Sequence, residues 1–173
     1  SKRIPSRLSP ISIAGLKNLP DLTKAAKIML SQKDRQSNND LYANDLVEVT
    51  LQILREYFNG NLYNLYTAFI AGDKEEFERS FTAVNSCLKH VEKLLTSREH
   101  YRIKPEIESI LDFDGVTAGV RKDIKTYIKN DTYTWASNPF LRDYQRQEKL
   151  ELFEKYQRPR TEAYLTYIRG KFD

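Results

Sequence analysis

Asp73-Lys74-Glu75-Glu76-Phe77-Glu78-Arg79-Ser80-Phe81-Thr82-Ala83-Val84-Asn85-Ser86-Cys87-Leu88-Lys89-His90-Val91-Glu92-Lys93-Leu94-Leu95 is the stretch that decides the fold. Phe77, Phe81, Val84, Leu88, Val91 and Leu95 recur at spacings of 4, 3, 4, 3 and 4. That is the seam of a helix packed at a shallow angle against neighbours. Asp73 followed by Glu76 forms a capping box, in which one side chain meets the first free amides and the other reaches back. The seam stops after about three heptads, too few for a self-pairing coiled coil when other amphipathic helices are at hand. A helix-bundle core is the better reading.

Working outward, Leu41 to Ala71 carries two apolar rows: Tyr42, Leu46, Val49, Ile53, Tyr57, and then Leu54, Phe58, Leu62, Leu65, Phe69. Two rows make a broad buried face, and the periodicity runs through Asn59-Gly60, so one long helix ending at Gly72 is expected. Upstream, Asp21 can cap a helix to about Gln32, with a polar loop from Gln36 to Asp40. Pro5, Pro10 and Gly15 make residues 1–19 an irregular lead-in. Downstream, Pro105 suits the first turn of a short helix to Asp112, broken by Asp114-Gly115. Thr117 to about Tyr133 reads as a helix with Val120, Ile124, Tyr127 and Ile128 on one face, and Asn138-Pro139 as a turn. Leu141 to Gln157 reads as a helix stopped by Pro159, and Ala163, Tyr164, Tyr167 and Ile168 mark the last one. The expected fold is all-α, a bundle of about six or seven helices with short loops. Residues 20–173 would form one domain.

Composition excludes several classes. Six Gly and six Pro in 173 residues leave few breakers, which favours helices. The net charge of +4 comes from 28 basic and 24 acidic side chains interleaved along the chain. No nucleic-acid partner is expected from so mixed a surface, and Lys2, Arg3 and Arg7 sit in the lead-in. No run of about 18 apolar residues offers a membrane span, and no leader pattern is read at the start. Cys87 is alone and reads as a small buried hydrophobe. His90 and His100 have no ligand set around them, so no metal site is expected. Glu75-Glu76 and Asp112 with Asp114 fall where caps and solvated faces belong, whereas a catalytic carboxylate pair faces across a pocket, which sequence neighbours seldom do. The chain offers no catalytic residue and no cofactor motif.

Three motifs carry more. Asn44-Asp45-Leu46-Val47-Glu48-Val49-Thr50-Leu51-Gln52 comes first, then Tyr133-Thr134-Trp135-Ala136 with Asp143-Tyr144 ending nine residues beyond the only Trp, and then Tyr156, Pro159 and Arg160. In their order and spacing these resemble the C-terminal helical domain of the α-N-acetylglucosaminidases, glycoside hydrolase family 89, from about Leu16 to Ile168. Ala136 stands where that family has Gly, Thr161 where it has Trp, and Lys129 where it has an Arg six residues before the Trp, so the chain resembles a divergent member.

The resemblance implies a retaining pair of Glu residues on a preceding (β/α)8 barrel of the same polypeptide, a glycan substrate, and a secreted or periplasmic location. This domain would then brace the barrel. It implies that Trp135 and Tyr144, with Leu141 beside them, help wall the pocket for a terminal α-linked N-acetylglucosamine, with Asp143 and Lys129 in support. An indole gives a flat apolar face to a sugar ring and an N–H to a hydroxyl. The competing reading makes Trp135 and Tyr144 core aromatics joining two helices, while Tyr133, Tyr156, Tyr164 and Tyr167 read as packing residues. The rival function is a stand-alone helical interaction module.

Overall fold

A computed structural model of the chain describes residues 17–112, 116–134 and 148–172. Among these residues every regular element is helical, and the protein is all-α as its periodicity predicts. Helix α1 spans Leu19–Leu30, α2 Asp40–Ala71, α3 Lys74–Thr96, α4 Ile103–Leu111, α5 Ala118–Thr134, α6 Leu150–Leu152 and α7 Arg158–Arg169. A 3-10 turn, Glu99–Tyr101, precedes α4, and a π-helical turn, Phe153–Gln157, joins α6 to α7. The chain falls into two compact units. The first takes the described residues up to Val91 and those from Glu162 onward; the second is Glu92–Thr161.

The corner between α2 and α3 shows how local sequence sets the path. Helix α2 opens on Asn39, whose side chain accepts the Tyr42 amide at 3.1 Å, and runs unbroken through Asn59-Gly60. It closes at Gly72, in the left-handed region at φ +74°. There the Gly72 and Asp73 amides both donate to the Ala68 carbonyl, a Schellman-type closure. Asp73 then caps α3 by accepting the Glu76 amide at 3.0 Å. Only this half of the capping box forms, because the Asp73 amide is already engaged. The Glu76 carboxylate turns forward instead, accepting Ser80 Oγ at 2.9 Å and pairing with Arg79. That gives the buried Ser80 hydroxyl its partner.

A Cβ at position 72 would meet no atom within 4 Å, so substitution there costs backbone strain alone. Gly72→Ala is expected to destabilise by about 1–2 kcal/mol, and Gly72→Asn by less, because Asn tolerates the left-handed region. Urea unfolding of both variants checks this, and equal losses would contradict the strain account.

In the first unit, Leu65, Ala68 and Phe69 of α2, Phe77 and Val84 of α3, and Leu165 and Ile168 of α7 form the buried core. Phe58, Leu62, Phe81, Tyr164 and Phe172 pack against it. Phe77 sits 4.7 Å from Phe172 and 6.2 Å from Phe81, ring centre to ring centre, and Phe172 meets Phe69 edge-on at 5.8 Å. Arg169 lies over the Phe81 ring at 4.8 Å while pairing with Glu78 at 3.0 Å. Cys87 is buried as expected, and burial pushes its thiol pKa up.

Several expectations shift. Asp21 does not cap α1: the helix starts earlier, after Asn18, with Pro20 and Asp21 both in its first turn. There Pro costs no hydrogen bond and the carboxylate favours the positive helix end. In the first half of α2 the buried residues are Val47 and Leu51, which extend the second predicted row toward the helix start, while Tyr57 of the first row is exposed. Helix α1 packs along α2, with the Tyr42 hydroxyl donating to the Met29 carbonyl.

In the second unit, Leu95, Tyr101, Ile103, Leu111, Ile128, Leu150, Leu152 and Phe153 are buried. Thr117 caps α5, its Oγ1 accepting the Val120 amide at 3.3 Å. Of the predicted α5 face only Ile128 is buried, while Val120 and Tyr127 are exposed. Pro159 does not stop the preceding helix. Residues from Leu150 to Arg169 form one continuous helical run, within which the Arg158 amide reaches back to the Phe153 carbonyl. A Pro at 159 has no N–H for the Lys155 carbonyl and crowds it, and a π turn just upstream fits that interruption. The predicted helix start at Leu141 and the turn at Asn138-Pro139 lie outside the described residues.

Candidate functional site

Trp135, Leu141, Asp143 and Tyr144 all lie outside the described residues, and Lys129 falls on α5. The structure does describe the frame around that segment in the second unit, namely α5 before it and Glu148 to Leu150 after it. Chain geometry at the far side is set by Lys149, extended at φ −119° and ψ 135°, after which the helical run begins.

That frame is tied together by polar contacts far apart in sequence. Helix α4 starts after Arg102, which provides no side-chain cap. Its exposed first amides are met instead by Glu151: Oε2 accepts the Ile103 amide at 2.9 Å and Oε1 the Lys104 amide at 3.3 Å. A carboxylate at a helix N-terminus satisfies free N–H groups and meets the positive end of the dipole. Lys149 Nζ donates to the His100 carbonyl at 3.1 Å, and Arg158 Nη1 to Glu92 Oε2 at 2.6 Å. On the other side, Arg121 donates to the Leu111 carbonyl at 2.5 Å and the Val116 carbonyl at 3.2 Å. Its guanidinium thereby closes the end of α4 onto the start of α5.

Between these ties runs a groove of about 390 Å³ with Ile103, Ile107 and Leu111 along its apolar side and Lys104, Glu108, Lys125 and Glu151 around it. Lys104 and Glu108 pair at 3.6 Å. The groove offers apolar contact and charge but no facing pair of carboxylates set for acid/base work: Glu151 is committed to the α4 amides and Glu108 is paired.

Other residues singled out from the sequence find plain roles. His90 Nδ1 meets the Ser86 carbonyl at 2.7 Å, and His100 packs edge-on against Tyr101 at 5.0 Å. Among the described residues no group of three or more His, Cys, Asp or Glu side chains is placed to hold a metal ion. No described helix is long and apolar enough to cross a membrane.

Of the predicted packing tyrosines, Tyr164 is packed in the core, Tyr133 falls outside the described side chains, and Tyr156 and Tyr167 are exposed. Arg160 lies over the Tyr156 ring at 5.5 Å and Lys171 over Tyr167 at 5.7 Å. Helical spacing selects a face but does not distinguish its covered part from its edge.

The Tyr164 hydroxyl is buried without a hydrogen-bond partner among the described residues. Burial, and secondarily Tyr66, raise its pKa. An unsatisfied buried hydroxyl is a cost, so Tyr164→Phe is expected to leave stability unchanged or raise it by up to about 1 kcal/mol. A fall of more than that in urea unfolding would reveal a hydrogen bond at this oxygen.

Sequence reasoning missed Glu151 and Arg121. Neither stands in a motif, and the Glu151 contact joins residues 48 apart, a separation at which local patterns carry no information.

Residues 11–173 match the family described as the alpha-N-acetylglucosaminidase (NAGLU) C-terminal domain. No curated protein and no solved structure matches the chain.

Proposed function

The chain belongs to the alpha-N-acetylglucosaminidase C-terminal domain family, and from that premise we propose that it packs on a preceding catalytic (β/α)8 barrel and completes one wall of the pocket for a terminal α-linked N-acetylglucosamine. Catalysis rests with two Glu residues of the barrel, one as acid/base and one as nucleophile. This domain holds the sugar and braces the barrel's open end, where such barrels keep their active sites. The partner is therefore the same polypeptide and the substrate a glycan, met in a secreted or periplasmic setting.

The observation that carries this reading is the family match over 11–173, which spans all three motifs in order. Within it, Trp135 offers an indole face and N–H, Tyr144 a hydroxyl, and Leu141 apolar contact, with Asp143 and Lys129 as supports. The described part of the second unit is compatible with such a role, because the polar ties flank the segment that bears these residues.

Hydrolysis of an aryl α-N-acetylglucosaminide by the full-length gene product tests the reading, with wild type beside Trp135→Ala and Tyr144→Phe. Activity that collapses in folded variants supports the pocket wall. Wild-type activity in both variants reduces the domain to a brace. No activity in any form turns the reading toward a helical interaction module.

A further inference from the structure

We propose that the groove between α4 and α5 is a docking site for an acidic amphipathic peptide segment of a partner protein, an inference independent of the pocket reading. Both halves of that chemistry lie within the second unit. Ile103, Ile107 and Leu111 stand at successive steps of four along α4 and form the apolar side of the groove, a line of about 12 Å. Ile103 and Leu111 are buried, and Ile107 between them is partly exposed. Lys125 of α5 borders this groove and also a neighbouring hollow of about 440 Å³ that Arg121 and Lys122 line with it. The apolar side therefore adjoins a group of three cations.

Charge decides the occupant. The acids at the groove are already engaged: Glu108 pairs with Lys104, and Glu151 accepts two amides of α4. The three cations are not. The Arg121 guanidinium is held by the carbonyls of Leu111 and Val116, which fix its position without neutralising it. Among the described residues none of Arg121, Lys122 and Lys125 has a carboxylate partner. Asp123 turns away from them, about 150° around α5 from their mean direction at the ~100° step of a helix. A cleft bordered by uncompensated charge of one sign concentrates groups of the other. A segment that carries carboxylates beside apolar side chains at helical spacing meets both the isoleucine line and the cations. A fatty acid has one head group and would answer one cation of the three.

The test selects peptides of about 14 residues, some four turns of helix, from a random display library on the full-length gene product. The enriched peptides are then measured by fluorescence anisotropy. They are expected to carry net negative charge, with apolar residues at spacings of three and four. Lys122→Glu combined with Lys125→Glu is expected to lower their affinity about tenfold or more, an effect that shrinks as salt is raised. Both lysines are exposed, so this variant should keep its fold, which thermal unfolding checks. Ile107→Ala is expected to lower affinity several-fold through lost apolar contact. A selection that yields nothing, or yields basic or uncharged sequences, would overturn the proposal. So would enriched peptides that bind the double lysine variant as tightly as wild type. Laurate binding by calorimetry, or self-association by sedimentation, that Lys125→Glu abolishes while acidic peptides fail to bind would overturn it too, in favour of a lipid or a second copy of the chain. None of these outcomes bears on Trp135 or Tyr144.

Discussion

Phe77→Ala is expected to destabilise the first unit by about 3–5 kcal/mol, the largest stability effect of any single substitution considered. Phe77 is fully buried and lies at the centre of an aromatic group with Phe69, Phe81 and Phe172 around it. Truncation removes the transfer free energy of the ring and leaves a cavity that rings on three sides cannot collapse to fill. Phe77→Leu keeps much of the volume and should lose clearly less. Urea unfolding followed by circular dichroism measures both. A loss under about 1.5 kcal/mol for the Ala variant, the range of well-tolerated core swaps, would mean that Phe77 is not the centre of that core.

Trp135→Ala is expected to lower kcat/KM of the full-length enzyme by about a hundredfold, equivalent to about 2.8 kcal/mol. In the proposed pocket an indole stacked on a sugar would supply apolar area and an N–H, and its truncation would leave a hydroxyl of the sugar unpaired. Tyr144→Phe removes one hydroxyl, worth about 1 kcal/mol and so about fivefold. The ranking of the two variants is itself informative. A larger loss for Tyr144→Phe would mean that the hydroxyl, and not the ring face, carries recognition. If Trp135→Ala instead lowers stability with kinetics intact, the competing reading of Trp135 as a core aromatic is right.

What could be read in advance divides along physical lines. The α3 seam, the continuity of α2 through Asn59-Gly60 and the stop at Gly72 rest on chemistry within a few residues, and the structure bears each of them out. Asp73 also caps as expected. The second half of its box fails for a reason the pattern does not hold: the Asp73 amide is taken by a carbonyl of the preceding helix. Tyr57, Val120, Tyr127 and Tyr167 sit on apolar faces by spacing yet are exposed, because coverage depends on what a neighbouring helix reaches. Pro159 looked like a stop because its missing N–H is a local fact, whereas the π turn upstream that takes it in is a property of the whole run. Glu151 left no trace at all, since a carboxylate on a helix is ordinary until the amides it meets are known. For the candidate site, only the motif order was legible in the sequence.

The π turn has a further consequence for how this chain tolerates change in length. An α-helix turns by about 100° per residue, so the additional residue held in Phe153–Gln157 offsets the angular phase of everything after it by roughly that amount. Within the second unit, Glu151 and Leu152 upstream and Arg158 downstream, all engaged or buried, are aimed by that offset. Point substitutions between them leave the phase alone. Deleting one residue there would allow a regular helix to form and would swing one of the two groups away from its partners, so this run is constrained in its residue count more tightly than in its composition.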